Sequence, residues 1–367
     1  MSLRIGYSAW GFLGDVKLKD GVEVSTPDGN ATYSWAIVHE AQARGHRVYW
    51  MQEDRDAEAW RRHGREIFAS FSQEKRTRMY IEMWKSGNKL PDLDVLLVEW
   101  RWPIEGRNFG IPREHPDYQP DLRRQTELIE HYVGLDVPII IWDLDHKLTR
   151  LDEDRFIPAA IFETSVQPRD LMNSWGVKRT RVEPPCVVSD LLQFPTLPAD
   201  PRHKLAYVGS RYERDDVITE YIKPISDAYP QEVFFWGNWL KTVDECRALW
   251  PNVMYMDRIT TREFREAYGE AVACPLLAKR SYLQTGFVTP RPWEALMFGT
   301  VPVGLAPSLG IDEYVLRTAR DGREMVEVVE ELSRMDLDQR DRLRRENVEK
   351  ISFMGANHFV DAIEKVL

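Results

Sequence analysis

Two series of short apolar runs alternate with helical segments along the chain, and a proline-rich stretch separates them. Apolar runs bounded by turn residues are typical of buried strands, and amphipathic spacing is typical of helices. Strands that alternate with helices form parallel sheets covered on both faces. We therefore predict an α/β protein with doubly wound sheets. The predicted strands are residues 4–9, 47–52, 94–98, 138–142, 158–162, 181–182, 204–208, 232–236, 252–256, 272–277 and 301–304, and the main predicted helices are 30–44, 57–86, 121–134, 168–175, 217–229, 261–270 and 336–367.

Length and proline content predict two domains. A chain of 367 residues exceeds the usual size of one domain and is sufficient for two. The stretch from residue 183 to residue 201 is irregular and rich in proline, as interdomain linkers are. We predict a first domain at 1–183, a linker at 184–203, a second domain at 204–340 and a final helical segment at 341–367. The connection over residues 10–30 is long for a loop between a strand and a helix, and such loops are often functional.

Charge and cysteine content limit the partners and the compartment. A net charge of −10 and a pI of about 5.5 argue against a dedicated nucleic-acid coat, which needs many Lys and Arg. Residues 60–89 are an exception, because eight basic and three acidic residues give them a charge of +5; the alternative is a solvated helix face. Three scattered cysteines, no apolar leader and no run of 18 apolar residues predict a cytoplasmic protein without a membrane span.

One segment near the C-terminus carries the clearest functional pattern. Glu294 opens a short apolar helix that ends at Gly299, and the predicted strand 301–304 follows at once. A carboxylate in the first turn of a helix beside a strand end can accept the two hydroxyls of a ribose, while the helix N-terminus suits a diphosphate. The alternative is an ordinary first-turn acid. The pattern is consistent with one half of a nucleotide-sugar site.

The same segment resembles a known family. Its pattern Arg-x-x-Glu-Ala-x-x-x-Gly-x-x-Pro-Val, from Arg291 to Val303, is similar to the donor-site pattern of GT-B glycosyltransferases, and most similar to the group 1 and spore-maturation glycosyltransferase-like branch. The resemblance implies that Glu294 binds the donor ribose and that Arg291 lies beside the donor. It also implies two Rossmann-like domains that face each other across a cleft, with the final helix crossing back to the first domain. Gly286 stands where the family pattern has a second Glu.

Other residues of the second domain are donor-site candidates. Gly209, Ser210 and Arg211 follow the strand 204–208, where glycine lets a phosphate approach the backbone and Arg can pair with it. Lys279 would add positive charge for the leaving diphosphate, although we favour Arg211 for this role. Trp236 ends a strand and could stack on a base or a sugar ring. The alternatives are an ordinary turn with a surface Arg and a core Trp.

In the first domain, three residues are candidates for proton transfer or substrate contact. Glu99 ends an apolar strand and could act as a general base, or could pair with Arg101. Asp28 precedes the first helix and could touch either sugar, or could cap the helix. His146 follows a strand and could transfer protons, although a lone His is more often structural. For Asp28, the sugar in question could be that of the acceptor or that of the donor.

Asp143 and Asp145 leave a rival enzyme class open. An Asp-x-Asp pair after a strand can hold a metal or supply the nucleophile of a phosphohydrolase. The same spacing recurs elsewhere in the chain, for example at Asp92/Asp94 and Asp336/Asp338, so it carries little information. A phosphatase of this type would place a small hydroxyl residue where Lys147 stands.

The sequence therefore predicts a glycosyltransferase, and the resemblance supplies its chemistry. It implies a nucleotide-sugar donor, for which UDP is favoured, no cofactor and no metal, and retention of the anomeric configuration. The acceptor hydroxyl could belong to a carbohydrate, a small molecule or a hydroxymethylated DNA base, as in phage DNA glycosyltransferases. A metal-dependent phosphohydrolase and a non-catalytic nucleotide-sugar binding protein are the remaining alternatives.

Overall fold

The chain forms two parallel sheets covered by helices. The computed structural model describes residues 2–8, 15–19, 22–26, 29–51, 82–83, 89–100, 120–144, 146, 148, 157–167, 176–192, 200–259 and 261–367. The strands are β1 (Arg4–Ser8), β2 (Asp15–Lys19), β3 (Val22–Thr26), β4 (Arg47–Trp50), β5 (Glu82–Met83), β6 (Val95–Glu99), β7 (Ile139–Asp143), β8 (Ala160–Glu163), β9 (Arg179–Arg181), β10 (His203–Val208), β11 (Val233–Trp236), β12 (Val253–Met256), β13 (Ala271–Pro275), β14 (Val301–Leu305) and β15 (Thr318–Ala319).

The two sheets divide the strands between the halves of the chain. The first has the order β5-β4-β1-β6-β7-β8-β9 and the second the order β12-β11-β10-β13-β14-β15. Each pairing within them is parallel. The order reverses beside β1 and beside β10, so each sheet has the switch point of a doubly wound fold. All residues of β6, β7, β13 and β14 are buried, as expected for strands covered on both faces.

The helices follow the predicted alternation with several additions. In chain order they are α1 (Gly29–Ala43), α2 (Pro120–Val133), α3 (Asp215–Val217), α4 (Lys223–Ala228), α5 (Val243–Leu249), α6 (Thr261–Gly269), α7 (Arg280–Thr285), α8 (Arg291–Met297), α9 (Gly322–Arg334), α10 (Leu337–Lys350) and α11 (Ala356–Glu364). A π-helical turn, Ile218–Ile222, joins α3 to α4. Helices α5, α7 and α9 were not predicted. Within the described parts of the chain, every helix is too short or too polar to span a bilayer.

Three predictions of local structure need correction. The long connection over residues 10–30 contains an antiparallel hairpin of β2 and β3, because two five-residue stretches can pair with each other. Part of the predicted helix 57–86 is instead β5, which extends the first sheet beside β4. The single predicted helix 336–367 is divided into α10 and α11 by a 3-10 turn, Ser352–Met354. The predicted helix 168–175 lies outside the described residues.

The last helix crosses back to the first half of the chain, as the resemblance implied. Helix α11 packs on α1, and its residues Phe359 and Ile363 belong to a core shared with the first sheet. Arg44 of α1 pairs with Asp361 at 2.5 Å and with Glu364 at 3.1 Å. The two halves are therefore joined by apolar burial and by charge-assisted hydrogen bonds. The domain boundaries given above stay a prediction.

We expect loss of the Arg44 contacts to lower the stability of the protein. Arg44→Met should reduce the free energy of unfolding by about 1 kcal/mol, because its partners are partly exposed and charge-assisted bonds there are modest. Arg345→Met is the control, since Arg345 is 60% exposed and pairs with Asp341 of its own helix. Urea unfolding of both variants measures the effect. Equal losses would show that the contacts between α1 and α11 contribute nothing specific.

Candidate functional site

The turns that follow β10 and β11 meet at the carboxyl edge of the second sheet. The indole Nε1 of Trp239 donates to the carbonyl of Gly209 at 2.8 Å. Gly237 has φ +144°, and a Cβ there would lie 2.2 Å from the same carbonyl oxygen. A Cβ on Gly209 would lie 2.6 Å from Nη2 of Arg291. Glycine at both positions therefore allows two turns and a guanidinium to pack at one point.

Arg291 is the central polar residue of this edge. Its guanidinium lies over the ring of Tyr207, with Cζ 4.7 Å from the ring centroid. Nη2 donates to the carbonyl of Val208, at the end of β10, and Nη1 to that of Leu277, just after β13, each at 3.4 Å. Burial disfavours its charge, yet Tyr207 and the nearby carboxylate of Glu294 help to raise its pKa above the ordinary Arg value. Arg291 thus keeps a buried positive charge at the ends of two adjacent strands.

Glu294 lies one helical turn from Arg291, on the same short helix. Only 9% of the residue is exposed, and its carboxylate interacts electrostatically with Arg291, Tyr268 and Cys274. Burial raises the pKa of the Cys274 thiol to about 12, so this thiol stays uncharged beside Arg291. The structure therefore brings together three of the predicted donor residues, which are Gly209, Arg291 and Glu294.

Arg211 has partners outside that cluster. Its guanidinium pairs with Asp215 at 2.6 Å and with Glu245 at 2.8 Å, and it lies over the ring of Trp250. Two carboxylates therefore already pair with Arg211, the residue that the sequence favoured for binding the leaving diphosphate. Ser210 lies in the same turn, and its carbonyl accepts from the buried Arg214.

Lys279 follows β13, two residues beyond the carbonyl that Arg291 contacts. Its side chain is 14% exposed and pairs with Glu213 at 3.0 Å. The ammonium lies 4.4 Å from the ring centroid of Tyr212 and 5.0 Å from that of Tyr282. Two rings and one carboxylate therefore fix the position of this cation.

Trp236, predicted to stack on a ligand, is packed inside the protein. It is 8% exposed and stacks on Phe234 at 5.5 Å between ring centroids, with His203 nearby. Its neighbour in sequence, Trp239, is the residue that orders the Gly209 turn. Both tryptophans are buried, Trp236 at the end of β11 and Trp239 in the 3-10 turn that follows it.

Glu99 ends β6 and is completely buried. Its carboxylate accepts hydrogen bonds from the hydroxyls of Tyr7, Tyr33 and Ser34. Tyr7 belongs to β1 and the other two to α1, so the carboxylate joins a helix to two strands. Arg101, its alternative partner, lies outside the described residues.

His146 is the first-domain candidate that meets the second domain. It has φ +56°, and its Nε2 lies 3.6 Å from Oε1 of Glu163. Its ring packs edge-on against Tyr282 at 5.8 Å and Phe287 at 5.1 Å. Glu163 in turn pairs with Arg179 at 2.6 Å. The two carboxyl edges therefore meet at this histidine.

Of the remaining candidate site residues in the first domain, one is buried and the others lie outside the described residues. Asp143 is completely buried, and its Oδ1 accepts from the backbone N–H of Leu148 at 3.3 Å. Asp28, Asp145 and Lys147 lie outside the described residues, as does most of the basic segment 60–89. Among the residues that are described, no group of three or more His, Cys, Asp or Glu side chains is arranged to hold a metal ion.

Gly286, the position that departs from the family pattern, lies in the contact between the halves. The backbone N–H groups of Val166 and Gln167 donate to the carbonyls of Gly286, at 3.4 Å, and Thr285, at 3.0 Å. Gly286 has φ +68°, and a Cβ there would lie 2.5 Å from the carbonyl oxygen of Leu309. The space leaves no room for a glutamate, which explains the departure in physical terms.

Comparisons with known proteins give structural matches only. No protein-family profile and no curated sequence matches the chain. An alpha-glucosyltransferase in complex with UDP-glucose and DNA containing an abasic site is 13% identical, with a TM-score of 0.63 and 100% of both chains covered. The alpha-glucosyltransferase in complex with UDP and a 13-mer DNA containing an HMU base is 14% identical, with a TM-score of 0.60 over 100% of this chain and 99% of that one.

The glucosyltransferase BGT of T4 phage, in complex with its UDP-glucose substrate, is also similar. It is 13% identical, with a TM-score of 0.61 over 100% of this chain and 99% of that chain. At such identities the similarity shows the fold, which is GT-B. The predicted fold class, two Rossmann-like sheets with a returning C-terminal helix, is therefore confirmed.

Sequence reasoning missed several residues that shape the site. Tyr207 forms the floor beneath Arg291, Gly237 admits the neighbouring turn, and Glu213 pairs with Lys279. A glycine directly after each of two adjacent strands is a signal that could have identified Gly237 beside Gly209. No sequence pattern points to Tyr207 or Glu213, because their roles depend on contacts across the sheet edge.

We expect Gly286→Ala to weaken the contact between the halves. The left-handed backbone and the clash with Leu309 should cost about 2–4 kcal/mol of unfolding free energy. Gly45→Ala is the matched control, because Gly45 has φ +83° and open space around its Cβ position, which leaves only strain of about 1 kcal/mol. Thermal unfolding compares the two variants. Equal destabilisation would contradict a close contact at Gly286.

Proposed function

We propose that this protein is a glycosyltransferase that moves a sugar from a UDP-linked donor to a hydroxyl group of an acceptor. The proposal rests on the first turn of α8, where Arg291 and Glu294 lie beside Gly209 at the carboxyl edge of the second sheet. Ligands of doubly wound sheets bind at this edge. The structures with the same fold are UDP or UDP-glucose complexes, which supports a UDP-linked donor.

Glu294 and Arg291 divide the recognition of the donor. Glu294 accepts hydrogen bonds from the ribose hydroxyls, because a carboxylate has acceptor sites for both. Arg291 faces the diphosphate with a charge that its surroundings maintain. Gly209 and Ser210 let phosphate oxygens approach the backbone. We infer that Trp236 contributes by packing the strand end, since its ring is buried.

The leaving diphosphate gains negative charge as the glycosidic bond breaks. Fixed cations in a partly buried site stabilise that charge without reorganisation. Arg291, Lys279 and Arg211 supply three positive charges around the same edge. We therefore propose that transfer needs no bound metal and no cofactor.

The first domain binds the acceptor in this proposal. His146 and Asp28 are the candidates for contact with the transferred sugar or for proton transfer, and Glu163 orients the ring of His146. Glu99 has a positioning role, because its carboxylate binds the hydroxyl of Tyr7 in β1 and that of Ser34 in α1. Asp28 directly precedes that helix.

Binding of UDP tests the donor site. Wild-type protein should bind UDP, and Glu294→Gln should weaken binding by about 1–3 kcal/mol, the magnitude of a hydrogen bond to a charged group. Glu327→Gln is the control, since Glu327 is exposed on α9. Isothermal titration calorimetry measures each affinity, with GDP and ADP titrated separately to compare the nucleotides. If no nucleotide binds, or if Glu294→Gln binds UDP as tightly as the control does, the proposed site is wrong.

A DNA acceptor is the second candidate, and the structural comparisons favour it. Two of the matched glucosyltransferases are complexes with DNA, and their fold is matched along the whole chain. The local charge of +5 at residues 60–89 agrees with a phosphate contact, whereas the net charge of −10 argues against broad DNA affinity. A hydroxymethylated base extruded from the duplex would present the required hydroxyl.

Transfer of labelled glucose from UDP-glucose to hydroxymethylated duplex DNA tests this acceptor. We expect glucose to be incorporated into hydroxymethylated DNA and not into unmodified DNA of the same sequence. The rate of incorporation should be the same with and without EDTA. DNA binding should weaken steeply as salt rises, because released counterions oppose it. Incorporation into small hydroxyl acceptors alone would exclude DNA and leave the glycosyltransferase proposal in place.

A further inference from the structure

The pair of Lys279 and Glu213 lies between two segments of the proposed donor site. Glu213 is four residues beyond Gly209, and Lys279 is two residues beyond Leu277, whose carbonyl accepts from Arg291. Their side chains meet at 3.0 Å. The strands that precede them, β10 and β13, are hydrogen-bonded neighbours. The pair therefore joins the two turns that flank Arg291.

Lys279 is held in place more firmly than an ordinary surface lysine. Its side chain is 14% exposed, whereas that of Glu213 is 56% exposed. The ammonium lies between the rings of Tyr212 and Tyr282. Tyr282 is itself 7% exposed and touches His146 of the first domain. The cation is thus preorganised, and its carboxylate partner is the exposed member of the pair.

The backbone of Glu213 is strained, and open space lies beside its side chain. It has φ +51°, a left-handed backbone that costs about 1 kcal/mol or more for a residue other than glycine. It borders an open depression of about 560 Å³, which Arg211 and Tyr212 also line. A carboxylate displaced from Lys279 can therefore turn toward solvent.

We propose that Glu213 occupies the place of a donor phosphate on Lys279 in the free protein, and that the nucleoside diphosphate displaces it. This inference rests on the proposed function. Carboxylate and phosphate oxygens compete for the same ammonium donors. Lys279 then neutralises the leaving diphosphate, while Glu213 lowers affinity for the donor and for the diphosphate product.

Calorimetric binding of UDP and of uridine tests this exchange. Glu213→Gln should tighten UDP binding by about two- to fivefold, the range of a partly exposed ion pair. Lys279→Met should weaken it by about tenfold or more, since a charge-assisted contact is lost. In the Lys279→Met background, Glu213→Gln should have no further effect. Uridine, which lacks phosphates, should bind all variants alike.

Two control variants separate this cation from its neighbours. Arg280→Met removes the next positive charge, which pairs with Asp216 and Glu220, and it should bind UDP as the wild type does. Glu245→Gln removes one of the two acidic partners of Arg211, Asp215 being the other, and leaves the pair of Lys279 intact. If Glu245→Gln tightens UDP binding and Glu213→Gln does not, Arg211 is the cation concerned and the proposal is overturned.

The remaining outcomes distinguish this inference from the function it rests on. Unchanged UDP affinity in Glu213→Gln, or tightening that persists without Lys279, would overturn the inference while UDP binding by the wild type upholds the donor site. A wild type that binds neither UDP nor uridine would remove the proposed function, and the inference with it.

Discussion

The buried guanidinium of Arg291 is the interaction on which the candidate site depends. It contacts carbonyls at the ends of β10 and β13, covers the ring of Tyr207 and leaves no space for a side chain at Gly209. A buried charge is costly unless its surroundings maintain it, and carbonyl, aromatic and carboxylate groups do so here. The guanidinium of Arg291 therefore shapes the Gly209 turn, which is the turn proposed to contact a diphosphate.

The second requirement is a fixed contact between the two halves. The carbonyl of Gly286 accepts from Val166, His146 packs on Phe287, and α11 returns to α1. These contacts come from segments far apart in the chain, and they bring the carboxyl edges of both sheets to one region. In the proposed function, this arrangement is what brings an acceptor on the first sheet close to a donor on the second. The contact at Gly286 also explains how this chain departs from the family pattern.

Most strands of the two sheets were predictable because buried parallel strands are continuous apolar runs. Helix α2 was predictable from its amphipathic spacing and α1 from Gly45, which follows its end. The hairpin of β2 and β3 and the division at residues 352–354 were not, because short polar segments carry weak periodicity and tertiary contacts decide them. The family resemblance implied that Arg291 and Glu294 act together, and the structure places them one helical turn apart; their roles in donor binding stay predictions. The acidic partners of Arg211 could not be predicted, since they depend on side chains brought close by the sheet, whereas a core position for Trp236 was one of the alternatives from the sequence.

The sequence by itself determined the alternation of strands and helices, the acid and the cation of one helical turn, and the glycines at strand ends, because each is a local pattern of period or spacing. Only the tertiary structure decided which cations keep acidic partners, which tryptophan orders the Gly209 turn and why Gly286 cannot be a glutamate. Those outcomes depend on distances of a few ångströms between segments separated by tens to hundreds of residues, and close packing rather than local sequence sets such distances.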